Sequence, residues 1–224
     1  VNGDEAMSCC SHDDDDGNHK PTLDRRALLK TGAMGAAGTA SAGENPYADP
    51  AKGALPKTDV TLELANTALV VTDPQVDFLS PKGVTWKVVG KSVEHHGTVG
   101  NIELLLKTAK DVGMTVAISP HYYYPTDHGW KFGGPLEKLM HAIGMFDRKG
   151  SLSVDGFEGS GADLMPDFKP YFNDGKTIID SPHKVYGPEA NDLNLQLRKA
   201  GIDKVILCGM SANLCVQAHM HELL

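Results

Sequence analysis

The stretch Thr67-Ala-Leu-Val-Val-Thr-Asp73 decides the fold, because a short apolar run that ends in an acid is typical of a buried parallel strand with its functional end at the C-terminus. Three further short apolar segments have the same strand character: Met114–Ser119, Lys176–Asp180 and Lys204–Gly209. Helical patterns separate these strands, notably over Thr98–Val112 and Pro188–Ala200. This alternation predicts an α/β fold, with an open, doubly wound, mostly parallel sheet and helices on both faces.

Three polar side chains lie where such a sheet places a site, since ligands bind at the carboxyl ends of its strands. Asp73 ends the first strand, Lys184 follows the third, and Cys215 comes just after the fourth, at the start of a predicted helix. Backbone N–H groups and the helix dipole are expected to lower the pKa of Cys215 and favour its thiolate. The amides of Ser211 and Cys215 would hold a developing oxyanion. Asp73 would carry the thiol proton to a leaving amine, and Lys184 would add positive charge.

Three motifs in this order resemble those of the isochorismatase-like hydrolases. Val71–Phe78 is similar to the first-strand D-x-Q-x-D-F motif, His183–Gly187 to the lysine segment, and Cys208–Val216 to the G-x-x-x-x-x-C-V turn that holds the nucleophile. The resemblance extends from about Thr67 to the end of the chain, and it implies a Rossmann-like three-layer fold and a cysteine hydrolase. It also implies a cis peptide bond at Met210-Ser211 and assembly into a homo-oligomer.

A metal motif of the nicotinamidases in this family is missing. Their Asp-x-His pair follows the second strand, and alignment on Pro125–His128 puts Tyr122 and Tyr124 at the ligand positions. The resemblance therefore predicts no catalytic metal and no other cofactor, and it counts against a nicotinamidase. Isochorismatases proper often lack the cysteine, so Cys215 favours C–N or acyl chemistry.

The segment from Pro120 to about Asp174 is long for a connector and rich in aromatic residues, which is typical of a functional excursion. It predicts a wall for a small planar or aromatic amide. Five residues are candidates for substrate contact: Gln75, Phe78, His121, Tyr124 and Trp130. Asp77 is expected to be structural.

Several residues have a second interpretation. His121, His128 or His183 could form a Cys–His pair with the nucleophile. The remaining histidines near helices are expected at the surface: His95, His96, His219 and His221. Cys208 lies within a strand and is expected to be structural.

Residues 1–60 differ from the rest of the chain and are predicted to be a disordered tail. Asp24–Lys30 resembles a twin-arginine export motif, Ala40-Ser41-Ala42 supplies a cleavage site, and Glu44–Asp59 is a proline-containing linker. This pattern predicts export to the periplasm or beyond, the alternative being a short amphipathic helix on a cytoplasmic protein. No stretch reaches the roughly 20 apolar residues of a membrane anchor.

Residues 61–224 are the predicted hydrolase domain, and the composition of the whole chain sets further bounds on the function. The net charge of −8 argues against a nucleic-acid partner. Four cysteines, two of them adjacent in the tail, do not make a disulfide framework or a zinc motif. The chain stops at Leu224 within a helical pattern, so the domain is expected to be incomplete at its C-terminus.

The predicted function is metal-independent hydrolysis of an amide or related C–N bond through a thioester on Cys215. An isochorismatase-type ether hydrolase is the nearest alternative, with Asp73 and Lys184 active and the cysteine incidental. A non-catalytic binding or thiol-redox protein on the same fold is the more distant one.

Overall fold

The computed structural model describes residues 60–131, 133–184 and 191–224. The tail with its twin-arginine motif and linker, Phe132, and the predicted start of a helix at Pro188 lie outside the described residues. In the part of the chain that is described, no helix combines the length and the apolar character needed to cross a membrane.

Four parallel strands form one sheet in the order β3-β2-β1-β4. Their bounds are Thr67–Thr72 for β1, Thr115–Ser119 for β2, Ile178–Ile179 for β3 and Lys204–Gly209 for β4. β1 pairs along its whole length with β4 and along most of it with β2. All four strands fall inside the segments that the sequence predicts, and the two-residue β3 is much shorter than expected.

Seven α-helices accompany the sheet in the described residues: α1 Val76–Leu79, α2 Trp86–His95, α3 Thr98–Asp111, α4 Pro135–Ala142, α5 Lys169–Phe172, α6 Leu193–Lys199 and α7 Gln217–Leu223. A π-helical turn over Ala212–Val216 leads into α7, where the sequence predicts one continuous helix. Four of these helices, α1, α2, α4 and α5, were not predicted, since short segments within long connections give a weak periodic signal.

The central strand β1 is buried on both faces, because successive side chains of a strand point in opposite directions and each face is covered. Leu69 and Val71 of β1 join the larger core, beneath α1 to α4. Ala68 and Val70 point the other way and pack in a second cluster with Leu193 of α6. Each large aliphatic side chain buried in this way stabilises the fold by about 1.5–3 kcal/mol. The predicted three-layer α/β fold is confirmed.

The chain crosses from β1 to β2 and β3 on one side, then returns to place β4 on the other side of β1. This reversal opens a crevice at the carboxyl ends of β1 and β4, where sheets of this kind bind ligands. Gly209 lets the two ends approach, because a Cβ on it would lie 2.1 Å from the carbonyl oxygen of Thr72. Its φ of 129° is also a conformation that favours glycine. The Met210-Ser211 peptide bond that follows is cis, as the resemblance implies.

The excursion between β2 and β3 is tied to the segment after β1. Gln75 donates from Nε2 to the carbonyls of His121 and Ala162, at 2.8 Å each, and accepts at Oε1 from the His121 amide. Asp77 accepts from the Phe146 amide at 2.7 Å and from the Val84 amide at 3.2 Å. The structural role expected for Asp77 is therefore confirmed.

Candidate active site

Asp73 lies directly after β1 and is fully buried. Its backbone has a φ of 50°, a left-handed conformation that aspartate tolerates better than most residues, and its amide donates to Ser119 at 3.0 Å. Oδ1 is 2.7 Å from Nε2 of His183. Burial alone would raise the pKa of Asp73, but the charge and hydrogen bond of His183, with smaller contributions from His121 and Cys215, lower it overall. The carboxylate is thus held in its ionised form.

Cys215 lies in the π-helical turn after β4 and is 3% exposed. Its thiol interacts with the Asp73 carboxylate, and the amides of Ser211 and Cys215 itself both point at the sulfur. Burial, followed by the charge of Asp73, raises the pKa of the thiol, and the two amides offset only part of that rise. The lowered pKa expected from a helix N-terminus is therefore wrong, because the helix effect is smaller than desolvation beside a carboxylate. The resting side chain is a protonated thiol next to an ionised acid.

Two histidines complete the surroundings of this pair. His121 follows β2 and His183 follows β3, and the two residues form a single parallel bridge that brings their rings to 4.4 Å between centroids. Both are fully buried. Burial, and then the neighbouring His183 ring, lowers the pKa of His121 to about 3, so that its ring is neutral at ordinary pH. We call the four residues Asp73, His121, His183 and Cys215 the Asp73 cluster.

Lys184 does not belong to the Asp73 cluster, which corrects its predicted place beside Asp73 and Cys215. Its ammonium group donates to Oδ2 of Asp127 at 2.6 Å and to the Tyr122 carbonyl at 2.8 Å, and it lies 3.6 Å from the ring centroid of Tyr124. Burial lowers the pKa of Lys184 and the Asp127 carboxylate opposes that shift. The physical reason is alternation: in an extended segment, consecutive side chains point to opposite sides. Because His183 points at Asp73, Lys184 points away from it.

A cavity of about 300 Å³ opens beside the Lys184 ammonium group. We call it the Lys184 cavity, and its lining residues are Tyr123, Thr126, Asp127, His128, Gly129, Trp130 and Lys184. Trp130 is 43% exposed, and Tyr124 is partly buried behind the lysine. The structure therefore places these two candidate substrate contacts at or next to the cavity.

Three other expectations for side chains do not agree with the structure. Gln75 is fully buried, and its amide makes the three internal hydrogen bonds given above, so it has a structural role instead of contacting a substrate. Phe78 is a core residue whose ring packs edge-to-face on Phe146 at 5.2 Å. His219 is fully buried, between the Cys215 carbonyl and the Ser119 hydroxyl, instead of lying on the surface.

The structure agrees with the expectations for the other histidines near helices and for Cys208. His95, His96 and His221 are exposed, and Cys208 is a strand residue packed against the larger core. Burial raises the pKa of the Cys208 thiol to about 12, which suits a structural cysteine.

Donor atoms of the Asp73 cluster lie close enough together to hold a metal ion, since one from each residue falls within 4.8 Å of the others. The prediction that no catalytic metal is used was based on Tyr122 and Tyr124, which replace the ligands of the nicotinamidase motif. Neither tyrosine belongs to the Asp73 cluster. The Asp73 cluster is thus a separate set of possible ligands that the motif comparison did not consider.

Sequence reasoning left His183 as one of three candidate partners for the cysteine and preferred the lysine next to it. The signal that separates them is position along the strand. His183 and His121 are related by the same parallel pairing, so they share a face of the sheet, whereas Lys184 is one residue out of step.

A parallel sheet with an acid, two histidines and a thiol at the carboxyl ends of its strands defines an α/β protein equipped for thiol or acid–base chemistry. The chain belongs to the isochorismatase family, a family of hydrolases, since its residues 67–224 match the Isochorismatase domain.

Solved structures share the fold. A cysteine hydrolase from Pseudomonas syringae pv. phaseolicola 1448A is 19% identical with a TM-score of 0.55, covering 76% of this chain and 71% of its own. An isochorismatase family protein from Desulfovibrio vulgaris subsp. vulgaris str. Hildenborough is 18% identical with a TM-score of 0.50, covering 70% and 74%. An N-carbamoylsarcosine amidase from Thermoplasma acidophilum is 22% identical with a TM-score of 0.49, covering 70% and 75%. At these identities, the likeness to the first two structures is one of fold alone.

Proposed function

We propose that this protein hydrolyses an amide or related C–N bond of a small molecule through a thioester on Cys215. The observation that carries the proposal is the pairing of a protonated thiol with an ionised carboxylate, Asp73, beneath two amides that point at the sulfur. These are a nucleophile, a base and an oxyanion site within one contact of each other. Membership of a hydrolase family agrees with this arrangement.

In the first half of the reaction, Asp73 takes the thiol proton as the sulfur attacks the substrate carbonyl. The raised pKa of Cys215 means that transfer occurs during attack, with the carbonyl accepting the negative charge as it forms. The amides of Ser211 and Cys215 hold the oxyanion. When the intermediate collapses, the C–N bond breaks and Asp73 returns the proton to the nitrogen.

In the second half, water attacks the thioester. Asp73 takes a proton from that water and returns it to the sulfur as the acid product leaves. The thiol and the carboxylate are then in their starting forms, and one water has been consumed for each C–N bond broken.

His183 takes the position next to Asp73 that the resemblance assigned to Lys184. Its hydrogen bond to Oδ1 fixes the carboxylate and favours its ionised form. We assign His183 as a positioning residue, acting through Asp73.

The Lys184 cavity supplies the substrate wall in this proposal. Trp130 offers a flat apolar surface and Tyr124 supports the lysine beside it, which suits a planar or aromatic amide. Trp130→Ala and Tyr124→Ala are expected to raise KM several-fold with a small change in kcat. If both variants keep the KM of the wild-type protein, the cavity is not the substrate site.

Trapping of the thioester tests the mechanism. The protein is incubated with a primary aromatic carboxamide and with an N-carbamoyl compound, quenched in acid, and digested for peptide mass spectrometry. We expect an acyl or carbamoyl group on the Cys215 peptide, release of ammonia, and neither in Cys215→Ala. The matched control, Cys208→Ala, should retain both. Hydrolysis of a vinyl ether that continues in Cys215→Ala without an adduct would instead support the ether-hydrolase alternative, and its product is measured separately from ammonia.

We also propose export of the protein through the twin-arginine route, on the motif at Arg25-Arg26 alone. Cell fractionation tests it. The conservative pair Arg25→Lys with Arg26→Lys should leave the chain in the cytoplasm, and unchanged localisation would argue against this route.

A further inference from the structure

The Asp73 cluster contains two imidazoles, whereas the proposed hydrolysis needs only one partner for the Asp73 carboxylate. His183 has a role in the proposed reaction, through Asp73. His121 has none, although it is fully buried at the carboxyl end of β2. Neither of its ring nitrogens makes a hydrogen bond of ordinary geometry, although the ring lies within reach of the Lys184 backbone. A buried polar group whose hydrogen bonds are poor is costly, so this ring needs an explanation.

The four donor groups surround one point. They come from four separate segments, one after each strand, and one donor atom of each lies within 4.8 Å of the other three. In a tetrahedral zinc site, with metal–nitrogen bonds of about 2.0 Å and a metal–sulfur bond of about 2.3 Å, ligand atoms are roughly 3.3–3.8 Å apart. An inward shift of about 1 Å by the most distant donor would therefore satisfy the geometry.

The chemistry of the donors selects the metal. A thiolate and two imidazoles are soft or intermediate ligands, which favour zinc, cobalt or nickel over magnesium and calcium. The carboxylate contributes negative charge, so that the site with a bound divalent ion and two anionic ligands is neutral overall.

We propose that Asp73, His121, His183 and Cys215 form a binding site for one divalent cation of the zinc class, and that the bound cation blocks the hydrolase reaction. Binding breaks the S–H bond of Cys215 and forms a metal–sulfur bond, and the proton passes to solvent. No electron is transferred. The metal-binding part stands on geometry alone, whereas the inhibition rests on the proposed function, because it follows only if the thiol and Asp73 are the reacting groups.

Cobalt titration measures metal binding at the site in the absence of any substrate. Cobalt(II) bound to a thiolate gives a charge-transfer band in the near ultraviolet, which oxygen and nitrogen ligands alone do not give. Because Cys9 and Cys10 of the tail could also bind metal, the full chain is used with Cys9→Ser and Cys10→Ser in every variant. The expected result is one equivalent of cobalt per chain with the band present, displaced by zinc and not by magnesium.

Variants assign the band to the cluster. Cys215→Ser should abolish it, whereas the matched Cys208→Ser should keep it. His121→Asn and His183→Asn should each weaken cobalt binding by at least about tenfold, and His128→Gln, which lies in the Lys184 cavity, should not. Circular dichroism confirms that each variant is folded. If the folded wild-type chain gives no band, or if the band survives Cys215→Ser or both cluster histidine variants, the metal site is overturned.

Activity is measured separately. Zinc should abolish amide hydrolysis reversibly, with full recovery after chelation. A cobalt band in a protein without hydrolase activity would support the metal site and contradict the proposed function. Hydrolysis that continues with the site fully occupied would overturn the inhibition.

Discussion

Tyr123 of the Lys184 cavity packs on His121 of the Asp73 cluster, yet the two regions are built in opposite ways. The cluster takes one residue from the end of each of four strands, and none of its side chains is more than 3% exposed. The cavity takes most of its lining from one loop, Tyr123–Trp130, and is open to solvent. The contrast shows which parts of the fold hold side chains in precise positions. Strand ends fixed by a parallel sheet hold reacting groups, while a loop on that sheet can change its shape to suit a ligand.

His183 and Lys184 show how sharp the boundary between the two regions is. They are adjacent in sequence, yet one contacts Asp73 at 2.7 Å and the other contacts Asp127 at 2.6 Å. A shift of one residue along the chain therefore separates a side chain of the Asp73 cluster from one that lines the Lys184 cavity.

The strongest test of the division is to remove the thiol. Cys215→Ala is expected to lower kcat by at least about a thousandfold, because the reaction loses its nucleophile. Cys208→Ala, a change of the same size in β4, should leave kcat close to that of the wild type. Ammonia release under saturating substrate measures both. Comparable losses in the two variants would mean that the effect comes from packing.

The next test concerns what holds each region in shape. Gly209→Ala should lower the free energy of unfolding by about 3 kcal/mol or more, since its Cβ would collide with the Thr72 carbonyl and its φ favours glycine. Gly133→Ala, just after the cavity loop, should change it little, because its Cβ would meet Trp130 at an ordinary 3.5 Å. Urea unfolding followed by circular dichroism gives both values. Equal destabilisation would contradict the view that only the strand ends are rigid.

Kinetic constants should separate the two adjacent residues. His183→Asn is expected to lower kcat by about a hundredfold, because Asp73 loses the partner that fixes it as a base. Lys184→Met should raise KM more than it lowers kcat, since it changes the cavity and leaves the cluster intact. Steady-state kinetics on one amide measure both effects. The opposite pattern would return Lys184 to the catalytic role that its motif suggests.

The smallest of these effects is a dependence of stability on pH. The pKa of His121 is lowered from 6.5 to about 3, so between these values the unfolded chain binds a proton that the folded chain does not. The free energy of unfolding should therefore fall as pH falls from 6.5, by up to about 1.4 kcal/mol per pH unit. His121→Phe, which keeps the ring stacking on Tyr123 and Phe146, should reduce that slope. His128→Gln, at a half-exposed position, should not. An unchanged slope in His121→Phe would contradict the neutral buried ring.

Much of this architecture could be predicted because it depends on local patterns. Apolar runs locate the four strands within a few residues, and the rule for sheets of this class places Asp73 and Cys215 at one crevice. The lysine was misplaced because a motif gives sequence distance, whereas orientation depends on which residue pairs with the neighbouring strand. The pKa of Cys215 was misjudged because burial is a property of the whole fold. Gln75 and Phe78 were taken for substrate contacts because a position near a motif does not say which way a side chain points.

The hydrogen bonds of Gln75 and Asp77 also have a bearing on how such an enzyme could diversify. They fasten the excursion at Ala162, Phe146 and the His121 end, on either side of the cavity loop Tyr123–Trp130. Substitutions in that loop would alter what the protein accepts, with little penalty to the groups that react. A lineage could thus change its substrate by replacing a handful of neighbouring residues while the same acid and thiol stay in place.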